Sequence, residues 1–245
     1  MANSAVTADK PVLIFALELV LLYGCGSYAM NRMAAWGFGS GVGKMAFYLM
    51  VLPGVALHES AHYLACMFTG TRVERFAPFA PKSLPDGRLR LGYVSHENRS
   101  APIKSLIGLA PVVLNPIGVL VVTALLTPLT LTEVLTPQPE VFEERILSSG
   151  FLVQSPVMAA AWAYLAFSFA LGSVPSREDL SSVPAVLLLF ALGVFVLSLF
   201  REGSEDALLP ALAELSAGVA GIYALPAAVA AAAALLLGTW GRRLR

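Results

Sequence analysis

The stretch KMAFYLMVLPGVALHESAHYLACMFTG (residues 44–70) contains the motif His58-Glu59-Ser60-Ala61-His62 inside an apolar run that extends from 45 to 69. Histidines four residues apart lie on one face of a helix, so both imidazoles can reach the same metal ion. Glu59 follows the first histidine, where a general base for a zinc-activated water molecule is needed. Ionisable side chains in an apolar segment are costly unless they are paired. The motif therefore predicts a zinc site, with chance occurrence of a short pattern as the alternative.

The composition favours a helical membrane protein. Hydrophobic residues make up 57% of the 245 residues and charged residues 13%, and the mean hydropathy is +0.74. One helical membrane domain uses nearly the whole chain, so we predict a single membrane-embedded domain, 1–245. A formal net charge of zero argues against nucleic-acid binding. The two cysteines, Cys25 and Cys66, lie in apolar segments and indicate no disulfide framework.

The apolar runs predict an all-α membrane protein with about six transmembrane helices. We divide the chain into an N-terminal helix in 1–44, a core in 45–180 and C-terminal helices in 181–245. The predicted spans are 11–30, 45–69, 103–126, 157–171, 183–200 and 208–240, the last being either one span or a surface helix followed by a span. Glycines predict a flexible connection at 31–44, and residues 128–150 are predicted to form an acidic loop.

A different pattern occupies residues 71–99. The short, partly alternating runs RVERFAPFAP and RLRLGYVSH flank Lys82-Ser83-Leu84-Pro85-Asp86-Gly87, which has the composition of a turn. These runs predict a small β-hairpin at the membrane surface. Upstream of the histidine motif, Pro53-Gly54 predicts a bend that frees backbone groups of the helix.

Positive charge predicts the orientation. With six spans and a cytoplasmic N-terminus, one side of the membrane collects twelve basic residues and the other side four. The first set is Lys10, Arg72, Arg75, Lys82, Arg88, Arg90, Arg99, Lys104, Arg177, Arg242, Arg243 and Arg245; the second is Arg32, Lys44, Arg145 and Arg201. We therefore expect both termini, the hairpin and the metal motif to face the cytoplasm.

Two histidines are one protein ligand short of the usual catalytic zinc site. Asp179 follows the fourth predicted span, which returns to the membrane face near His62, so it is the favoured third ligand. Glu178 beside it is an alternative. Asp86 also competes, although a hairpin turn explains that residue without a metal.

These features together resemble the site-2 protease family of intramembrane zinc metalloproteases. The resemblance covers residues 45–180, a three-helix core with the 71–99 hairpin. It rests on the histidine motif, on a helix with Gly108, Pro111 and Asn115, and on a later helix followed by a proline-linked aspartate. The chain departs from the family pattern because no glycine follows Asp179 and because the spacing from Pro111 to Asn115 is one residue longer. It is identified as a divergent member without a PDZ domain.

The resemblance implies a function and a role for each residue. His58, His62 and Asp179 would ligate Zn²⁺, Glu59 would activate water, and Asn115 would help to hold substrate or the oxyanion. The hairpin would pair with an unwound transmembrane protein substrate as an added strand. We expect a multi-pass protein of a prokaryotic plasma membrane, in contact with the lipid bilayer, that carries out regulated intramembrane proteolysis.

Three alternatives stay open. In a prenyl-protein-type membrane zinc peptidase, the third ligand is a glutamate of a later helix, for which Glu202, Glu205 and Glu214 are candidates. A proteolytically inactive relative would act as a scaffold or binding protein, although the intact Glu59 argues against it. A metal transporter should contain more intramembrane acids and histidines than this chain has.

Overall fold

The computed structural model describes residues 3–85, 89–135, 138–176, 178–182 and 223–236. These parts of the chain are mostly helical. The helices are α1 (Asn3–Gly37), α2 (Gly41–Phe68), α3 (Ala101–Leu126), α4 (Leu131–Leu135), α5 (Pro139–Phe142), α6 (Phe151–Gln154), α7 (Pro156–Gly172) and α8 (Tyr223–Leu236). A π-helix, Glu143–Ser148, follows α5, and a 3₁₀-helix, Asp179–Ser182, follows α7.

Two of the described helices, α2 and α3, are long and apolar enough to cross a membrane. The apolar helices α7 and α8 are shorter. The fifth predicted span, 183–200, lies outside the described residues, and α8 is the described part of the sixth predicted segment. The number of six spans therefore stays a prediction.

The connection between the first two helices is shorter than the sequence predicted. Instead of a flexible stretch at 31–44, α1 continues to Gly37 and α2 begins at Gly41. The reason is an N-cap: the Gly43 N–H donates to the hydroxyl of Ser40 at 3.0 Å, which satisfies a backbone donor that the helix leaves unpaired. Residues 38–40 are enough to reverse the chain.

The predicted loop at 128–150 instead contains short helices. Its first helix begins with a reciprocal cap. The Thr130 N–H donates to Glu133 Oε2 at 2.7 Å, and the Glu133 N–H donates to the Thr130 hydroxyl at 3.3 Å. Local caps of this type allow short helices to form in a segment rich in turn residues.

A proline in α2 creates the contact between α2 and α7. Pro53 has no N–H, so the carbonyl of Leu49, four residues earlier, loses its helical donor. The Tyr164 hydroxyl of α7 donates to this carbonyl at 2.6 Å. One residue after the proline, the Gly54 N–H donates to the Ser168 hydroxyl at 2.8 Å. Backbone groups close to the proline therefore hydrogen-bond to side chains of α7.

Glycines set the close spacing of the core helices α2, α3 and α7. A Cβ atom at Gly54 would collide with the Ser168 carbonyl oxygen. A Cβ atom at Gly172 would collide with the Gly54 carbonyl oxygen and would lie 2.6 Å from Asn115 Oδ1. The backbones meet here because these positions carry no side chain.

A second proline attaches α8 to α3. Pro116 cannot donate to the Val112 carbonyl, four residues earlier, and the Tyr223 hydroxyl of α8 donates to that oxygen at 2.8 Å. Tyr223 and Ala230 also pack with Leu22 of α1. Helix α8 therefore connects the core to α1.

The hairpin consists of four strands in nested antiparallel pairs. Strand β1 (Val73–Ala77) pairs with β4 (Tyr93–His96), and β2 (Lys82–Ser83) pairs with β3 (Leu89–Arg90). The chain enters β1 through Gly70, whose φ of +63° lies in the left-handed region that glycine adopts readily. This turn reverses the chain directly at the end of α2.

The hairpin lies alongside α2, and its predicted position at the membrane surface stays a prediction. Phe76 stacks on Tyr63 with ring centroids 4.8 Å apart, and Phe79 contacts Tyr48 edge-on at 6.1 Å. Tyr48 precedes the last residue of α2, Phe68, by 20 residues, or ~30 Å of helix. These aromatic side chains of the hairpin contact the helix, and this requires the hairpin to fold back along it.

We predict that Gly54→Ala lowers the stability of the core. The added methyl group has no space, and overpacking of this kind costs about 1–3 kcal/mol. Thermal unfolding in detergent, followed by circular dichroism, should show a lower midpoint. Gly41→Ala is the control, because no atom lies within 4 Å of that Cβ position in the same helix. Equal midpoints for the two variants would contradict the packing described here.

Candidate metal centre

Three side chains from two elements meet beside α2. His58 Nε2 and His62 Nε2 are 3.1 Å apart. Asp179 Oδ1 lies 3.2 Å from His62 Nε2, and Asp179 Oδ2 lies 3.5 Å from His58 Nε2. The structure thus brings together the three residues that the sequence predicted as ligands, and this group could hold a metal ion.

The outer nitrogens of both histidines face backbone carbonyls. His58 Nδ1 is 2.7 Å from the Gly172 oxygen, and His62 Nδ1 is 2.8 Å from the Ile107 oxygen. A carbonyl oxygen only accepts hydrogen bonds, so each Nδ1 carries the hydrogen and donates it. In the neutral imidazole, this leaves the lone pair on Nε2.

Two imidazole lone pairs and a carboxylate therefore point at one place. These groups repel one another unless a positive charge lies between them. Around a tetrahedral zinc ion with bonds of ~2.0–2.1 Å, neighbouring donor atoms are about 3.3 Å apart. The two imidazole nitrogens are 3.1 Å apart, and each lies 3.2–3.5 Å from a different oxygen of the Asp179 carboxylate; with one ligand atom from each residue, the three atoms lie within 4.8 Å of one another. The donor set therefore fits a divalent metal ion.

The two carbonyls that orient the histidines are both free of helical partners. Gly172 is the last residue of α7, and the last carbonyls of a helix have no donor within it. Ile107 lies in the interior of α3, but the residue four positions later is Pro111, which has no N–H. Helix α7 therefore orients His58, and α3 orients His62.

Asp179 is held in place by a reciprocal cap. The Ser176 N–H donates to Asp179 Oδ2 at 2.6 Å, and the Asp179 N–H donates to the Ser176 hydroxyl at 3.1 Å. This is the capping-box arrangement at the start of a helix. The Asp179 backbone also rests against Gly108 of α3, where a Cβ atom would collide with its carbonyl oxygen. The cap and the glycine contact hold the carboxylate towards the histidines without a glycine after the aspartate.

The protonation of Asp179 suits a ligand. Burial raises the pKa of its carboxyl, but when no metal ion is bound, hydrogen bonds and positive charge from the protonated imidazoles outweigh burial and hold that pKa below its ordinary value. The carboxylate form, which is the form that binds metal ions, is favoured.

The group opens into a cavity of about 800 Å³. Glu59 lies on the wall of this cavity next to both histidines. The chain between β3 and β4 crosses over its side chain, and a Cβ atom at Gly92 would lie 2.6 Å from Glu59 Cγ. The glutamate therefore has the hairpin on one side and the metal ligands on the other.

The other candidates for the third ligand are placed differently. Glu178 lines the same cavity but is exposed, and it does not belong to the group of converging ligand atoms. Asp86 lies outside the described residues, as do Glu202, Glu205 and Glu214.

Asn115 lies behind the site. It is fully buried, its amide nitrogen is 3.4 Å from the Pro111 oxygen, and its Oδ1 faces Gly172. The described lining of the cavity does not include it. Its neighbour Gly172 supplies the carbonyl that orients His58.

Several cavity residues escaped the sequence analysis. Ser27 and Asn31 of α1 and the basic residues Arg90 and Lys104 line the cavity, and the Arg90 guanidinium lies 4.4 Å from the Tyr93 ring centroid. They reach the cavity through the packing of α1, α3 and the hairpin, and no local motif marks them. The cap of Asp179, by contrast, has a local signal in the pattern Ser-x-x-Asp at 176–179.

The chain matches no protein-family model, no curated protein and no solved structure.

We predict that Asp179→Ala lowers zinc affinity by more than about 100-fold, since even the outer partners of metal ligands contribute 10- to 100-fold. Asp86→Asn should have wild-type affinity, because asparagine also suits a turn. Competition with a chelator on detergent-purified protein measures both. Zinc loss in Asp86→Asn with normal zinc in Asp179→Ala would reverse the assignment, and retention in both variants would make Glu178 the leading candidate.

Ser176→Ala should lower zinc affinity by about tenfold, because the cap that orients Asp179 is lost. Thr130→Ala is a matched control, since it removes the same reciprocal cap from the start of α4. That variant should lose about 1 kcal/mol of stability and keep its zinc affinity. Similar zinc affinities for the two variants would show that the Ser176 cap has no effect on the ligand.

Proposed function

We propose that this protein is an intramembrane zinc-dependent endopeptidase, of the site-2 protease type, that hydrolyses peptide bonds in or near the transmembrane segments of membrane proteins. The observation that supports the proposal is the convergence of His58, His62 and Asp179 beside Glu59 on an apolar helix. Each histidine also donates its outer N–H to a carbonyl, which is the arrangement that ligating histidines adopt almost always.

In this proposal the chain divides the work between ligands and base. His58, His62 and Asp179 hold the metal ion. A zinc ion at such a site supplies Lewis-acid chemistry, since it acidifies water and polarises a carbonyl group. Glu59 accepts the proton of the attacking water molecule and transfers it to the amine of the leaving peptide. Asn115 is buried behind Gly172, whose carbonyl faces His58, and its role in holding substrate or the oxyanion stays a prediction.

The hairpin offers a place for the substrate. Strand β4 pairs with β1 on one side, and among the described residues no strand pairs with its other side. The residues of β4 line the cavity that contains Glu59. An extended substrate that adds to β4 as a strand passes the metal ligands, whereas a helical substrate cannot pair in this way. The substrate segment must therefore unwind.

The membrane placement in this proposal has α1, α2, α3 and α7 as four of six spans, with both termini and the metal site towards the cytoplasm of a prokaryotic cell. The charge asymmetry of the sequence supports this orientation. His62 lies six residues before the last residue of α2, which is ~9 Å of helix. Water reaches the site through the cavity, because a bilayer does not supply it.

The alternative functions make different use of the same residues. A prenyl-protein-type peptidase needs a glutamate ligand from a later helix, and Asp179 occupies that third position here. Two histidines and a carboxylate also bind non-haem Fe(II) in oxygenases. The adjacent Glu59 favours hydrolysis, because a general base serves the activation of water. Metal analysis of the purified protein separates zinc from iron.

We predict that Glu59→Gln abolishes cleavage but retains zinc and the fold, because an amide cannot accept the proton of water. The assay uses a panel of tagged single-span membrane proteins in proteoliposomes and follows the size of the products. Loss of a general base should reduce the rate by about 10²–10⁴-fold.

The control for this assay is Glu140→Gln, which makes the same change at an exposed glutamate of α5 and should keep wild-type activity. Full activity in Glu59→Gln would remove Glu59 from its role. Cleavage of soluble casein without cleavage of any membrane-spanning substrate would contradict the proposed substrate class.

A further inference from the structure

Pro111 does not line the cavity of the metal site and can influence the site only through the backbone of α3. Its ring is fully buried in α3, and it is absent from the described lining of the cavity. Because proline has no N–H, the carbonyl of Ile107 lacks the donor that residue 111 supplies in an ordinary helix. His62 Nδ1 lies 2.8 Å from that carbonyl oxygen. The Ile107 oxygen, which lacks the donor of residue 111, is thus the atom that His62 Nδ1 contacts.

We infer that Pro111 is a positioning residue for His62: by withholding a helical hydrogen bond, it keeps the Ile107 carbonyl available to fix the orientation and tautomer of a metal ligand. This inference rests on the proposed metal site and adds a residue to it.

The contact with the Ile107 carbonyl decides which ring nitrogen of His62 carries the hydrogen. If His62 donates from Nδ1, its Nε2 carries a lone pair directed at His58 and Asp179. If the hydrogen moves to Nε2, the same atom cannot bind a metal ion until it loses that hydrogen. An acceptor that is fixed at Nδ1 therefore prepares the ligand before the metal arrives.

The other prolines of the core provide a comparison within the same chain. Pro53 frees the Leu49 carbonyl for Tyr164, and Pro116 frees the Val112 carbonyl for Tyr223. Both partners are tyrosines that join helices. Pro111 is distinguished among the three because its freed carbonyl accepts from a predicted metal ligand.

The test compares Pro111→Ala with Pro116→Ala, two identical changes five residues apart in α3. Each restores a backbone N–H, but only the first competes with His62. We expect Pro111→Ala to lower zinc affinity by about 10- to 100-fold, the range for partners that orient ligands. Pro116→Ala should keep the wild-type affinity. Chelator competition on detergent-purified protein gives both values, and circular dichroism checks the fold.

A second measurement reads the tautomer itself. The chain has three histidines, so ¹⁵N-histidine labelling gives a simple NMR spectrum, and His96→Gln removes the signal outside the site. In zinc-free protein, we expect the wild type and Pro116→Ala to hold the His62 hydrogen on Nδ1. In Pro111→Ala, part of the population should carry it on Nε2. A change in stability alone does not move this signal.

A third variant separates the missing N–H from the ring and covers a failure of Pro111→Ala to fold. Lactic acid at position 111, the ester analogue of alanine, has the alanine side chain but no N–H. It should retain the zinc affinity and tautomer of the wild type. Reduced affinity in this ester variant would overturn the inference.

Three further outcomes distinguish this inference from the proposed function. If the wild type and Pro116→Ala bind zinc and Pro111→Ala binds it equally well with the same tautomer, only the role of Pro111 is refuted. An equal loss of zinc in both alanine variants would refute it as well. A wild-type protein that binds no divalent ion would overturn the metal site itself.

Discussion

A proline inside a helix leaves the carbonyl four residues earlier without its donor, and in an apolar environment that carbonyl must find another one. The core of this protein resolves the problem three times with side chains from other elements. Tyr164 of α7 donates to Leu49, Tyr223 of α8 to Val112, and His62 to Ile107. The carbonyls that the prolines leave without a helical donor therefore form hydrogen bonds between different helices.

Carbonyls without an ordinary helical donor also orient the histidines of the candidate metal centre. Helix α2 supplies His58 and His62 but does not orient them. Helix α7 orients His58 through the free carbonyl at its end, and α3 orients His62 through a carbonyl freed by Pro111. Asp179 follows α7 and rests on Gly108 of α3. Each ligand thus depends on a helix other than its own, so the site exists only when the three helices are packed.

Close packing and open space coexist within a few residues. At Gly54 and Gly172 the backbones of α2 and α7 leave no room for a Cβ atom. Next to them, the hairpin folds back along α2 and encloses a cavity that contains Glu59. In the proposed function, rigid contacts hold the ligands, and the cavity admits water and an extended chain. The proposed hydrolysis beside an apolar helix requires both conditions.

The sequence by itself determined the histidine motif, the helical character of the core, the antiparallel hairpin segment and the placement of Asp179 near the two histidines, because these depend on local spacing and on which end of a helix a residue follows. It did not reveal that the hairpin packs against α2 through aromatic contacts between distant residues. It also did not reveal that Asn115, whose role in holding substrate or the oxyanion stays a prediction, lies behind Gly172. Only the tertiary structure decided which carbonyls orient the histidines. A proline or a helix end shows locally which carbonyl lacks a helical donor, but the side chain that donates to it comes from another helix.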